Sequence, residues 1–236
     1  MTLDFNAVSH VGHKRAVNED SWFARRQDDG ALLLAVADGM GGAPGGDQAS
    51  SLAVAAFAAT GAGDAIFPHD LPRLAMAGHK AILDRAASDS GMKGMGTTLT
   101  VALVQKEELC WVHIGDSRLY RLRKTKLRQL TSDHRFIHTL YKEDKPPPEI
   151  LRRHPLRNRL DQCLGGPRIE LELGDESFFS GDCLLLCTDG LSDEVTDERI
   201  AAILSKDAAP AEKADWLVKT ALDAGGNDNV TVIVVG

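Results

Sequence analysis

The chain has 236 residues, 43% of them hydrophobic, with 34 acidic against 27 basic side chains and a net charge of −7. That length can bury a sizeable core, and an acidic balance without a long basic run argues against non-specific binding to nucleic-acid phosphates. No apolar stretch nears the ~18 residues of a membrane span, and residues 1–20 lack a basic stretch leading into an apolar one, so neither a membrane protein nor a secreted one is expected.

In chain order, the first core strand is expected at 31–37, an unbroken apolar run that stops at Asp38-Gly39. Helices follow at 47–59, where an Ala-rich stretch suits close packing on a sheet, and at 71–88. A block of strands comes next, at 97–105, 109–114, 119–122 and 127–130. Spacings as short as Val104 to Leu109 suggest antiparallel hairpins. Residues 131–162 differ in character, being polar and basic with Pro146-Pro147-Pro148, and read as a small surface insertion. Strands are expected again at 169–173, 183–187 and 229–235, and helices at 197–204 and 211–224. This order favours an α+β layered architecture, and no Gly/Ser/Pro-rich linker divides the chain, so residues 1–236 are read as one domain. Cys110, Cys163, Cys183 and Cys187 form no CxxC pair and have no histidine at zinc spacing, which suits free thiols in a reducing cytoplasm.

The run ending in Asp38-Gly39 has a counterpart, Leu184-Leu185-Leu186-Cys187-Thr188-Asp189-Gly190. Each run delivers a carboxylate to the end of a core strand, where burying it alone is costly. Further acids sit at similar junctions of apolar runs and turns: Asn18-Glu19-Asp20, Gly115-Asp116-Ser117-Arg118, Asp193 after Leu191-Ser192, and Asp228 between Asn227 and Asn229. Converging carboxylates need a cation between them, and an all-oxygen donor set suits a hard divalent ion such as Mg²⁺ or Mn²⁺. A loop carbonyl such as that of Gly39 can add a ligand, and two ions sharing one aspartate would acidify a water held between them.

Seven segments taken in order resemble the motifs of the bacterial protein phosphatase 2C family. They are Gly12-His13-Lys14-Arg15-Ala16-Val17-Asn18-Glu19-Asp20, Val36-Ala37-Asp38-Gly39-Met40-Gly41-Gly42, Gly96-Thr97-Thr98, Gly115-Asp116-Ser117-Arg118, Leu130-Thr131-Ser132-Asp133-His134, Cys187-Thr188-Asp189-Gly190-Leu191 and Asn227-Asp228-Asn229-Val230-Thr231. The resemblance implies a four-layer α-β-β-α sandwich, two central antiparallel sheets flanked by helices, with a small flap at about 131–162. It implies Mn²⁺- or Mg²⁺-dependent hydrolysis of phosphoserine and phosphothreonine in proteins. On this resemblance Asp38 bridges two metals, Gly39 gives its carbonyl to one of them, and Asp189 and Asp228 complete the first shell. Glu19 serves the second metal, directly or through water, and Asp20 holds a bound water. Asp116 and Asp193 match a third-metal site found in bacterial members, and Arg15 matches the phosphate-binding arginine. Arg15 and Asp38 are thus the expected catalytic pair, and the arginine fork suits phosphate better than adjacent Lys14. The partners implied are phosphorylated proteins and a cognate Ser/Thr kinase, with no nucleic acid or membrane, for a cytoplasmic monomer. A non-catalytic, partner-binding module is the alternative, disfavoured because every matched carboxylate is present.

The chain departs from eukaryotic-type members at Met40, where those carry a histidine proposed to protonate the leaving alkoxide. His134 and His154 are alternative donors, each weaker than the plain reading of a locally hydrogen-bonded histidine. The flap is expected to be the most mobile segment, with Arg152, Arg153, Arg157 and Arg159 steering acidic phosphopeptides.

Overall fold

Strand alternation builds the layers. In the first core strand the side chains of Leu33, Ala35 and Ala37 enter one apolar cluster, while Leu32, Leu34 and Val36 enter another. A strand buried on both faces must do this, because successive Cβ atoms point to opposite sides. The computed structural model describes residues 3–40, 44–60, 65–141, 154–156 and 158–236.

In those residues the strands are β1 (Phe5–His10), β2 (Asp20–Arg26), β3 (Leu32–Asp38), β4 (Leu99–Gln105), β5 (Glu108–Ile114), β6 (Arg118–Arg123), β7 (Lys126–Gln129), β8 (Glu172–Ser177), β9 (Cys183–Cys187) and β10 (Val230–Val235). They form two five-stranded antiparallel sheets, ordered β1-β10-β9-β6-β7 and β2-β3-β4-β5-β8. Leu32, Leu34, Trp111, Leu184, Leu186 and Ile233 fill the space between the sheets. On the outer face of the second sheet lie α1 (Gly46–Ala58) and α2 (Leu71–Ser88), which bury Ala49, Ala53, Phe57 and Ile82 against Leu33 and Val101. Gly78 lets α2 approach α1 closely, since a Cβ there would lie 3.2 Å from the Cα of Ala53. Against the first sheet pack α5 (Asp197–Leu204) and α6 (Pro210–Ala224), with Ile200, Leu217 and Ala221 on Leu185, Val232 and Val234. Two short helices, α3 (Phe136–Leu140) and α4 (Asp189–Ser192), lie beside the site. The α-β-β-α order is the expected one. Among the described residues no helix is long and apolar enough to cross a membrane.

The sequence reading misses β1 and β2 and misplaces β8. β1 and β2 are edge strands, half-buried along most of their length, so neither carries a continuous apolar run. β8 lies three residues later than expected and includes Gly174-Asp175, poor strand formers. Gly174 is there because the Trp111 ring lies against it, and a Cβ would come within 2.1 Å of that ring. Packing between the sheets sets the stability. Leu34 is fully buried there, and Leu34→Ala is expected to cost about 3 kcal/mol of unfolding free energy in metal-free denaturant titrations.

Candidate metal centre

One rim of the sandwich gathers the acids. β3 ends at Asp38 and β2 begins at Asp20, directly opposite it in the antiparallel register. From the facing sheet, β9 runs into Thr188-Asp189, and Asp228 immediately precedes Asn229 and β10. Asp116 lies in the turn between β5 and β6. The Asp38 backbone is held on both sides by Thr98: its N–H donates to Thr98 Oγ1 at 2.9 Å, and its carbonyl accepts from the Thr98 N–H at 2.9 Å. Thr98 Oγ1 is in turn 2.7 Å from Ser117 Oγ. The ladder bonds flanking Gly39 are Thr98 N–H to Asp38 O and Met40 N–H to Gly96 O, which leaves the Gly39 carbonyl outside that ladder.

Close backbone approaches fix the rest. A Cβ on Gly39 would lie 2.2 Å from the Gly46 carbonyl oxygen, so the start of α1 sits against this turn. A Cβ on Gly190 would lie 1.9 Å from the Asn229 carbonyl oxygen, which brings Asp189 beside Asp228. Asn229 is a fastening the sequence reading did not identify. Its side chain donates to the carbonyls of Val11 (2.9 Å) and Val17 (3.0 Å) and accepts from the Glu19 N–H (2.8 Å). It thereby pins the loop carrying Arg15 to the start of β10. Arg15 Nη2 meets Asp228 Oδ2 at 2.7 Å, and Nη1 is 3.9 Å from Glu19 Oε2.

The electrostatics of this rim are unfavourable for the protein alone. Burial, then the charges of Asp20 and Asp189, holds the Asp38 carboxyl pKa well above its ordinary value. Asp189 is raised likewise by burial, then by Asp116 and Asp193. Burial pushes Asp20 up to about 7, although its Oδ2 accepts from the hydroxyls of Thr231 (2.7 Å) and Thr188 (2.9 Å). Its Oδ1 is buried with no hydrogen-bond partner among the described residues. Crowded carboxylates, an orphaned buried oxygen and an all-oxygen donor set fit hard divalent cations such as Mn²⁺ or Mg²⁺. Arg15, Asp38, Asp116, Asp189 and Asp228 all line one open cleft of about 540 Å³, with Met40 in its wall.

Two acids expected near this centre have a different neighbour. Asp116 and Asp193 converge on the guanidinium of Arg135, which the sequence reading did not single out. Arg135 lies in the polar 131–162 stretch, where a basic residue reads as surface charge. The histidines considered as proton donors do not line the cleft. His134 Nδ1 accepts from the Gly115 N–H at 3.2 Å and its Nε2 faces Glu172 at 3.7 Å, while His154 accepts from the Leu156 N–H at 3.1 Å. His113, His134 and Glu172 lie close together, but His113 Nε2 is 3.1 Å from the carbonyls of Gly115 and Ser132 and its Nδ1 is 2.8 Å from Thr100 Oγ1. Both ring nitrogens are thus engaged by protein groups. Of the basic flap residues, Arg159 lies over the Phe136 ring at 5.1 Å and lines the cleft, whereas Arg152, Arg153 and Arg157 lie outside the described residues, as does the rest of 142–153 with Pro146–Pro148.

Comparison with known proteins gives a consistent answer. A family model for protein phosphatase 2C matches residues 9–224. The serine/threonine protein phosphatase PstP of Mycobacterium tuberculosis is 42% identical over 238 residues, covering 99% of this chain and 45% of PstP. This chain therefore spans under half the length of that relative. Protein phosphatase PhpP of Streptococcus pneumoniae is 33% identical, covering 99% of this chain and 97% of PhpP. The solved catalytic domain of PstP in complex with two manganese ions superposes with a TM-score of 0.88 at 40% identity, covering 99% of this chain and 97% of that one.

Proposed function

The chain belongs to the protein phosphatase 2C family, and from that premise we propose that it is a metal-dependent phosphatase hydrolysing phosphoserine and phosphothreonine in proteins. The observation that carries this reading is the buried Asp38 carboxylate, crowded by Asp20 and Asp189 in a cleft that also holds the Arg15 fork. Asp38 would hold two cations jointly, with the Gly39 carbonyl and Glu19 added on one side and Asp189 and Asp228 on the other. When bound, such cations draw charge from the phosphoryl oxygens and acidify a water for in-line attack on phosphorus.

The chain's own groups do the rest. Asp20 is held through Oδ2 by two threonine hydroxyls, which leaves its Oδ1 as the oxygen that would accept from a water held at the metal centre. Arg15, which meets Asp228 at 2.7 Å, would turn its fork to two phosphoryl oxygens and set the ester in line when Asp228 serves as a metal ligand. Thr98 and Ser117 keep the Asp38 backbone from yielding as charge moves. With Met40 at the position after Asp38-Gly39, that position offers the leaving alkoxide no proton.

Mn²⁺-dependent release of phosphate from a phosphothreonine peptide, lost on chelation, tests the reading, and a folded protein without such turnover would make it a binding module. Arg15→Ala is expected to lower kcat/KM by about 30-fold, mostly through KM, because roughly 2 kcal/mol is typical of a charge-assisted phosphate contact. Arg15→Lys should fall between the two. We read residues 1–236 as a single catalytic unit, supported by the one sandwich that brings every matched acid to one rim. Opposition to a bacterial Ser/Thr kinase follows from the substrate class. A cytoplasmic location is the accompanying reading, supported by free cysteines whose buried members, Cys183 and Cys187, have thiol pKa values pushed up by burial to about 11 and about 12, and a monomer is read with it.

A further inference from the structure

Arg135 is the most unusual charge in the molecule. Its side chain is 9% exposed, and its Nε donates to Asp116 Oδ2 at 2.7 Å. Its Nη2 lies 2.9 Å from Asp193 Oδ1 and 3.6 Å from Asp189 Oδ2. Three carboxylates, one from the β5–β6 turn and two from the opposite ends of α4, therefore face one guanidinium. The charge of Asp133 also reaches it, but Arg118 holds both oxygens of Asp133 at 2.8 and 2.7 Å. Nor does Arg135 swing in from a loose chain. Its backbone bridges to Leu160, the Phe136 N–H donates to Arg159 O at 2.8 Å, and the Asp161 N–H donates to His134 O at 2.8 Å.

We propose that the Arg135 guanidinium takes the place of a third divalent cation, so that this chain works with two exchangeable metal ions and one tethered positive charge. The inference rests on the phosphatase reading above and deepens it. The physical case is exclusion. A cation shared by Asp116 and Asp193 would sit about 2.1 Å from each oxygen, in the space where the guanidinium nitrogens already stand. Displacing Arg135 would leave a buried guanidinium without counter-charge beside a dication, and arginine cannot shed its proton to escape that penalty. A tethered charge also answers the crowding at Asp189 without depending on the free metal concentration. The acids expected to hold a third metal therefore do not fit one in this chain.

Metal stoichiometry, measured by equilibrium dialysis and elemental analysis at saturating Mn²⁺, decides the matter. The wild-type protein and Asp193→Asn are each expected to bind two Mn²⁺ per chain. Arg135→Ser is expected to gain a third, and Arg135→Ser combined with Asp193→Asn to return to two. Three ions in the wild type, dropping to two in Asp193→Asn, would overturn the proposal, as would a folded Arg135→Ser that still binds two. If Arg135→Ser does not fold by circular dichroism, the wild-type and Asp193→Asn pair still decides. A folded wild type that binds no Mn²⁺ would instead defeat the phosphatase reading itself.

Discussion

Asp38→Asn is expected to abolish Mn²⁺-dependent hydrolysis, by roughly 10³-fold or more in kcat, while raising the melting temperature of the metal-free protein. The two effects have one cause. The carboxylate is largely buried among Asp20, Asp189, Asp116 and Asp228, so without metal its charge is opposed by burial and by its neighbours. The amide removes that repulsion and keeps the shape, but it cannot hold two cations. The pH dependence follows from the same groups. Carboxyls with raised pKa values bind more protons in the native state than in the unfolded chain, so stability falls as pH rises. For Asp20 the loss runs from its ordinary value of 3.8 to about 7. The stabilising effect of Asp38→Asn should therefore be largest at neutral pH and vanish below the ordinary carboxylate range. Thermal melts of metal-free wild type and variant at pH 7 and pH 4 check this, and equal melting temperatures at pH 7 would count against the crowding.

Gly190→Ala is expected to damage both stability and metal binding severely. The added Cβ would stand 1.9 Å from the Asn229 carbonyl oxygen, a backbone atom that no side-chain rotation can move aside. Asn229 cannot retreat without releasing Val11, Val17 and Glu19, all of which its side chain holds. Overpacking against fixed backbone costs about 3 kcal/mol or more, and in a chain of this size that lowers the melting temperature by roughly 10 °C. Mn²⁺ binding should weaken in parallel, because the methyl group forces Asp189 away from Asp228. Calorimetry with and without Mn²⁺ would show both effects.

What the sequence reveals here depends on how locally each feature is determined. β3 and β9 are legible because Leu32–Leu34 and Leu184–Leu186 are buried on both faces, which requires an unbroken apolar run. β1 and β2 are not, since an edge strand is free to mix Asn6, Ser9 or Arg25 with its apolar residues. The acids are legible by position, each standing where an apolar run meets a turn. Arg135 and Asn229 are not. Their roles come from partners far away in the chain, such as Asp193 for the arginine and Val11 for the asparagine. No local pattern distinguishes an arginine that enters an acidic pocket from one that faces water.

The pairing of β1 with β10 carries a mechanical consequence. Asp4 and Gly236 exchange two backbone hydrogen bonds of 3.0 Å, and the register then runs from Phe5–Val235 to His10–Val230, where Gly12 and Asp228 begin the acidic rim. The two ends of the chain thus emerge side by side at the far end of the sheet from that rim. A pull applied between them would load the hydrogen bonds in sequence, in zipper fashion, beginning at Asp4–Gly236. Tension transmitted through attached segments would peel the edge strand at modest force, and it would reach the carboxylates only after the His10–Val230 pair had opened.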